Sequence, residues 1–133
     1  MIRSLQHVGV TVPDLEVGRS FYEAVGLEAR MAGDHLVLRC KGRAQDQVRL
    51  MPGTTKRLSY VSFGTDAEGL RSIRENLSYH GVVIHPAPFD IGQEGLWFRD
   101  PSGDWVHVTD ADSMPVAPLP TPESNTPGRY RRI

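Results

Sequence analysis

Two segments of the chain, 5–10 and 58–63, begin 53 residues apart, and each alternates apolar and polar positions over part of its length. Such alternation is typical of strands that bury one face. Each segment is followed by an aspartate and then by apolar residues at helical spacing. These apolar residues are Val17, Phe21 and Val25 in the first half, and Leu70, Ile73 and Leu77 in the second. We predict that each half begins with a strand and an amphipathic helix whose apolar stripe faces the core.

Three β-rich runs follow each predicted helix, after a glycine suited to a helix C-terminus, Gly26 or Gly81. The order β-α-β-β-β thus occurs twice. We predict an α+β domain over residues 1–109, built from two modules at about 1–52 and 56–109. The runs are 28–31, 35–40 and 47–51 in the first module, and 82–85, 95–99 and 104–109 in the second.

Successive strand residues point to opposite sides of a sheet, so the predicted strands have two different faces. One face is apolar and is expected to form the core beneath the helices. A face with imidazoles, a guanidinium and aromatic rings suits a pocket or an interface, but solvated faces of antiparallel sheets are also polar. The pattern leaves both interpretations open. The second face, called the mixed face below, carries His7, Arg49, Tyr60, Trp105 and His107.

The last part of the chain differs in composition from the rest. Five of the ten prolines lie within the final 19 residues, which hold few large apolar side chains. Such a segment cannot bury enough apolar surface to offset its own ordering entropy. We predict an extended tail over residues 110–133, which is a free terminus, an arm over a partner subunit or a linker.

Charge and cysteine content narrow the function. The 133 residues carry 15 Lys and Arg against 16 Asp and Glu, a net charge of −1. This balance gives no electrostatic case for nucleic-acid binding, and the apolar runs are too short to cross a membrane. The single cysteine, Cys40, cannot form an intramolecular disulfide, which favours a cytoplasmic protein. Cys40 shares a predicted strand with Leu36 and Leu38, so we expect a core thiol.

Three segments of the chain resemble the vicinal oxygen chelate superfamily, which includes glyoxalase I, extradiol ring-cleavage dioxygenases and bleomycin-resistance proteins. They are residues 5–14, residues 20–27 and the Asp-Pro-x-Gly hairpin at 95–104. The resemblance implies the glyoxalase/bleomycin resistance/dioxygenase fold, in which two βαβββ modules form a cup-shaped mixed sheet around a metal or ligand site. It is specific for the fold and unspecific for the reaction.

The same resemblance implies where a metal would bind. Enzymes of the superfamily commonly use a His or Gln on the first strand, a His on the fifth and a Glu on the eighth. By position, His7 matches the first ligand, Tyr60 replaces the second and His107 replaces the third. Arg49 occupies a fourth-strand ligand position, and a guanidinium cannot bind a metal. The implied site is a divalent Fe(II) or Mn(II) held by His7, His107 and Tyr60, or a degenerate site without metal.

The first functional hypothesis is an extradiol ring-cleavage dioxygenase that acts on a small catechol-type aromatic. In that reading His7 and His107 hold the metal, and Tyr60 is a third ligand or an acid/base. Arg49 binds the substrate anion, and Trp97 and Trp105 contact the aromatic ring. This choice of reaction rests on the resemblance and on the aromatic mixed face.

Two alternatives stay open. One is a metal-free, resistance-type dimer that binds an apolar ligand between Trp97, Trp105 and Tyr60. The other is the non-catalytic N-terminal half of a two-domain extradiol dioxygenase. In either case we expect a homodimer, or pairing with a second domain of the same fold.

Overall fold

A computed structural model describes residues 1–111 of the protein. Apart from residues 110 and 111, the predicted tail lies outside the described residues. The order of strands and helices in this part of the chain largely follows the predicted repeat. In chain order the elements are β1 (Ser4–Val12), α1 (Leu15–Ala24), β2 (Leu27–Ala32), β3 (His35–Cys40), β4 (Val48–Pro52), β5 (Arg57–Thr65), α2 (Ala67–Tyr79), β6 (Leu96–Arg99) and β7 (Trp105–Asp110).

The seven strands of residues 1–111 form one mixed sheet in the order β2-β3-β4-β1-β5-β7-β6. Strand β1 is central, where it pairs in parallel with β4 and antiparallel with β5. Strand β5 in turn pairs in parallel with β7. The first strand of each module therefore lies beside the last strand of the same module. The predicted α+β fold, a mixed sheet with two helices built from a repeated unit, is confirmed.

Residues 82–85, which we predicted as a strand, form only an isolated bridge between His85 and Trp97. Two prolines follow at once, Pro86 and Pro88. Proline has no N–H to donate to a ladder, so the pairing cannot continue beyond the bridge. Within the described chain the second module consequently adds two strands after its helix, where three were predicted.

The prediction that Val17, Phe21 and Val25 of helix α1 face the core is wrong. Val17, Phe21 and Val25 are 66%, 60% and 62% exposed. The helix instead packs on the sheet through the neighbouring stripe, Leu15 and Tyr22, with Gly18 between them. A Cβ at Gly18 would lie 2.9 Å from Leu50 Cδ1, so glycine allows the helix to approach the sheet closely.

Both helices begin at the aspartates that follow the first strand of each module. Asp14 accepts hydrogen bonds from the backbone N–H groups of Glu16 and Val17, and Asp66 accepts one from Gly69. Each aspartate satisfies donors that have no partner within the helix.

Neither helix in the described part of the chain has the length and apolar character needed to cross a membrane.

Two β-bulges break the strict alternation of strand β1 and strand β5. Leu5 lies opposite Phe63 and His7 opposite Ser62, so Gln6 is an extra residue in β1. Gly9 lies opposite Tyr60 and Val10 opposite Leu58, so Ser59 is an extra residue in β5. A bulge places two neighbouring side chains against one partner residue. Gln6 is buried beside His7, and Ser59 is buried beside Tyr60.

The apolar core between α1 and the sheet consists of Val12, Leu36, Leu38 and Leu50. Cys40 is not part of this core: its side chain is exposed, so the prediction of a core thiol is wrong. The buried part of β3 ends at Leu38, and the strand reaches solvent at its last residue.

We expect Leu50→Ala to lower the free energy of unfolding by about 2–5 kcal/mol, because it removes a buried side chain from a packed core and leaves a cavity. Leu58→Ala is the matched control, since Leu58 also lies on a strand but is 47% exposed. Urea unfolding followed by circular dichroism measures both. Equal losses in the two variants would contradict the assigned core.

Candidate functional site

Three adjacent strands bring a row of buried polar side chains together on the mixed face. His7 on β1 lies opposite Ser62 on β5, and Ser62 lies opposite His107 on β7. All three residues are buried. The row lies beside an apolar cluster, so each polar group needs a hydrogen-bond partner.

Tyr60 links the two modules across this row. Its hydroxyl and His7 Nε2 share a hydrogen bond of 2.7 Å, and the two rings meet edge to face. The Tyr60 ring lies over Gly9, and a Cβ at that position would overlap ring carbons of Tyr60. Gly9 therefore creates the space that lets the tyrosine of β5 reach the histidine of β1.

Burial keeps both members of this pair uncharged. Desolvation, assisted by the nearby positive charge of Arg49, lowers the pKa of His7 to about 4. Desolvation also raises the pKa of Tyr60 to about 12, and the charge and hydrogen bonding of Arg49 only partly oppose that rise. At neutral pH the pair is a neutral imidazole and a neutral phenol.

Arg49 lies beside this pair on β4. One of its guanidinium nitrogens is 3.3 Å from His35 Nδ1, and the other donates to the carbonyl of Ile91 at 3.5 Å. Its Nε atom is buried and has no hydrogen-bond partner among the described residues. The sequence pattern does not reveal this role of His35, because its contact with Arg49 depends on the β3–β4 pairing.

His107 occupies the other end of the row. Its Nδ1 and the Ser62 hydroxyl are 2.8 Å apart, and its ring lies 4.6 Å from that of Trp97. Burial lowers the pKa of His107 to about 4, against the opposite effect of the Glu94 carbonyl. Nε2 is buried and has no hydrogen-bond partner of normal geometry among the described residues. A Cβ at Gly95 would lie 2.8 Å from this nitrogen, so glycine allows the backbone before β6 to pack closely against the histidine.

Aromatic side chains fill the middle of the mixed face. Trp97 packs against Tyr60 and Phe89, with ring centroids 5.3 and 5.9 Å apart, and all belong to one cluster with Met51. The loop of residues 86–95 supplies Phe89 and the buried Ile91. The sequence pattern did not reveal these two residues, because an irregular loop has no periodicity.

The predicted ligand-contacting tryptophans differ in position. Trp97 is buried inside the aromatic cluster, whereas Trp105 is half-buried at its edge, with the Arg99 guanidinium 4.1 Å from its ring centroid. A cavity of about 250 Å³ lies beside His7 and Arg49, lined by polar side chains that include Gln6 and Gln93. The structure thus brings His7, Tyr60 and Arg49 together, with His107 one strand further away.

The donor set does not fit a divalent metal. Tyr60 holds His7 Nε2 in a hydrogen bond, and its high pKa opposes the phenolate that a metal would need. The Arg49 cation is close enough to depress the pKa of His7, so it would also repel a metal ion. Within residues 1–111, no three His, Cys, Asp or Glu side chains come together. The role of His7, His107 and Tyr60 as ligands stays a prediction from the resemblance.

Comparison with known proteins gives one relative by sequence. The chain is 31% identical over 131 residues to metapyrocatechase 2 of Cupriavidus necator, a match that covers 96% of this chain and 38% of that protein. No protein-family model matches the chain.

Solved structures agree with this match. The 2,3-dioxygenase LapB from Pseudomonas sp. KL28 has a TM-score of 0.71 at 21% identity, over 85% of this chain and 43% of LapB. The Mn(II)-bound glyoxalase from Novosphingobium aromaticivorans has a TM-score of 0.70 at 18% identity, over 87% of this chain and 42% of the glyoxalase.

These similarities confirm the resemblance to the vicinal oxygen chelate superfamily. The similar proteins include both dioxygenases and a glyoxalase. The chain spans about two fifths of the length of the relatives that it matches. A divalent metal is a feature of this family, as the Mn(II)-bound glyoxalase illustrates.

We expect acid to destabilise the fold between about pH 6.5 and pH 4. Folded His7 and His107 stay neutral down to about pH 4, whereas unfolded histidine binds a proton below about pH 6.5. The unfolded state then binds more protons, so the free energy of unfolding falls as pH falls. The slope is at most about 1.4 kcal/mol per pH unit for each histidine.

Urea unfolding at pH 7, 6 and 5 measures this slope. His7→Gln reduces it, and His80→Gln, at an exposed position after α2, leaves it unchanged. The same slope in wild type and His7→Gln would show that His7 is not buried as a neutral imidazole.

Proposed function

We propose that this chain is an extradiol-dioxygenase-type domain that carries no metal centre of its own and functions by pairing with another domain of the same fold. The proposal corresponds to the non-catalytic half of a two-domain enzyme. Its relatives include dioxygenases more than twice as long as the matched segment, so the pairing partner is a second copy of this chain or a further domain.

One observation carries the proposal: the hydrogen bond between Tyr60 and His7, with Arg49 beside it. Where the superfamily pattern would require a bare imidazole next to an anionic oxygen, this chain has a phenol with a raised pKa and a fixed cation. The Tyr60 hydroxyl and the His7 imidazole satisfy one another, and Phe89 and Trp97 pack against the same tyrosine. Such a cluster stabilises the sheet in the way a core does.

Helix α1 offers the surface for pairing. Its exposed side chains Val17 and Phe21 line an apolar cavity of about 350 Å³ together with Val12 and Tyr22. Val25 extends the same stripe by one turn. A contiguous apolar stripe on a helix marks an interaction surface more often than scattered apolar residues do. We also propose that the protein is cytoplasmic. Its single cysteine thiol is exposed, which suits a reducing compartment.

Metal loading tests the absence of a metal centre. The protein is incubated anaerobically with Fe(II) or Mn(II), desalted, assayed for metal and then mixed with catechol and O₂. We expect the same substoichiometric metal in wild type, His7→Ala and the exposed-site control His80→Ala, and no catechol-dependent O₂ uptake. Near-stoichiometric metal that is lost only in His7→Ala, with catechol-dependent O₂ uptake, would contradict the proposal.

Sedimentation equilibrium tests the pairing surface. We expect wild type to self-associate and Phe21→Ser to weaken association by about tenfold or more, because an aromatic side chain would no longer be buried. Tyr79→Ser is the matched control, since Tyr79 is an exposed aromatic residue on α2. Equal weakening by both variants, or a wild type that stays monomeric, would argue against α1 as the surface for a second copy.

A second candidate function is catalysis by this chain itself, as an extradiol dioxygenase acting on a catechol-type aromatic, with Arg49 binding the substrate anion and Tyr60 as acid/base. The buried Nε2 of His107, which has no hydrogen-bond partner of normal geometry among the described residues, favours it. The same metal-loading experiment separates this candidate from the first.

A further inference from the structure

A second cavity opens on the mixed face and shares no lining residue with the cavity beside His7. Its volume is about 380 Å³, within the range of small-molecule sites. Thr11 on β1, Ser59 on β5, Trp105 on β7 and Phe89 from the loop line it. Among its lining residues, the hypotheses above assign a ligand contact to Trp105 alone.

Two guanidinium groups give the cavity a positive charge. Arg57 and Arg99 both line it, and none of its described lining residues is acidic. Arg99 is held in place, because it stacks on the Trp105 ring and donates a hydrogen bond of 2.9 Å to the Gly103 carbonyl. A cation that is already ordered loses less entropy when it binds an anion, and the planar guanidinium matches the geometry of a carboxylate.

The β5 bulge supplies a hydroxyl donor to the same cavity. Ser59, the extra residue, is buried, and its hydroxyl is hydrogen-bonded to that of Thr11. In such a pair one hydroxyl donates to the other, and the accepting hydroxyl keeps its own proton for a ligand. Backbone at Gly53 packs against Thr11 so closely that a Cβ there would overlap the threonine methyl group. The pair is thus confined at the wall of the cavity.

The remaining wall is aromatic. Phe89 and Trp105 both line the cavity, and Phe89 is fixed by stacking on Tyr60 at 5.5 Å. Aromatic side chains favour flat apolar groups in offset or edge-to-face contact. The lining of the cavity therefore combines two guanidinium groups, a hydroxyl donor and two aromatic rings.

We propose that this cavity binds a small organic anion with a flat apolar body, of the arene carboxylate class. The carboxylate lies between Arg57 and Arg99 and accepts a hydrogen bond from the Thr11–Ser59 pair. The ring lies against Phe89 and the accessible edge of Trp105. The proposal involves no covalent step and is independent of whether His7 binds a metal.

Titration of the ¹⁵N-labelled protein with benzoate, followed by NMR, tests the site. The indole N–H of Trp105 reports the cavity, and the backbone N–H of Tyr79, an exposed residue of α2 outside the cavity, serves as an internal reference. Benzamide is the neutral isostere, and inorganic phosphate is the anion without an apolar body. We expect saturable shifts with benzoate that are centred on Trp105, and at least tenfold weaker binding of benzamide and of phosphate.

Three variants complete the design. Arg57→Gln and Arg99→Gln each weaken benzoate binding by about tenfold or more, because each removes a charge-assisted hydrogen bond. Arg99→Lys keeps the charge and loses only part of the affinity. Arg74→Gln, which removes an exposed arginine outside this cavity, leaves binding unchanged. Thermal melting confirms that each variant is folded.

Several results would overturn the proposal. One is the absence of saturable benzoate binding, and another is an affinity for benzamide equal to that for benzoate. A third is an affinity for phosphate equal to that for benzoate, because the aromatic side chains would then have no role. Loss of binding in Arg74→Gln to the same extent as in Arg99→Gln would show unspecific attraction of anions. None of these results bears on metal binding at His7, so the two proposals fail separately.

Discussion

The mixed face depends on one contact, the packing of the Tyr60 ring over Gly9. Only a residue without a side chain allows a ring from β5 to lie across β1. From that position the Tyr60 hydroxyl forms a hydrogen bond with His7, and the Tyr60 ring packs against Phe89 and Trp97. The two modules, which pair through β1 and β5, are therefore also joined by side-chain contacts. A larger residue at position 9 would displace the tyrosine and everything that packs on it.

Burial on this face selects neutral forms of its titratable groups. His7 and His107 lose their affinity for protons, and Tyr60 keeps its proton more tightly than usual. The fixed charge of Arg49 adds to the effect at His7. At the sheet positions where the resemblance implies metal ligands, His7 is hydrogen-bonded to Tyr60 and His107 to Ser62. These side chains are compatible with a shared fold, because the backbone pairing needs none of them.

The sequence predicted the backbone better than the side-chain surroundings. Strand β3 at residues 35–40 and the start of each helix after an aspartate were predictable, because strand and helix periods are local properties. The stripe at Val17 and Phe21 was misassigned, because a second stripe through Leu15 and Tyr22 fits the same period.

The candidate site was predictable only in part. Parity placed His7 and Tyr60 on one face, and the structure joins them by a hydrogen bond. Parity could not reveal the extra residue at Ser59, since a bulge is defined by the partner strand. Nor could it reveal Phe89, whose position depends on how an irregular loop folds back over the sheet. Long-range contacts of this kind leave no period in the sequence.

The interrupted pairing after His85 has a consequence for solubility during folding. Strand β6 is only four residues long and ends the described sheet on one side, where an open edge could recruit another chain. Pro86 and Pro88 follow the single bridge and lack the donors that a growing ladder requires. On the opposite edge, β2 carries the charged residues Glu28 and Arg30. Both margins of the sheet thus discourage strand-by-strand aggregation.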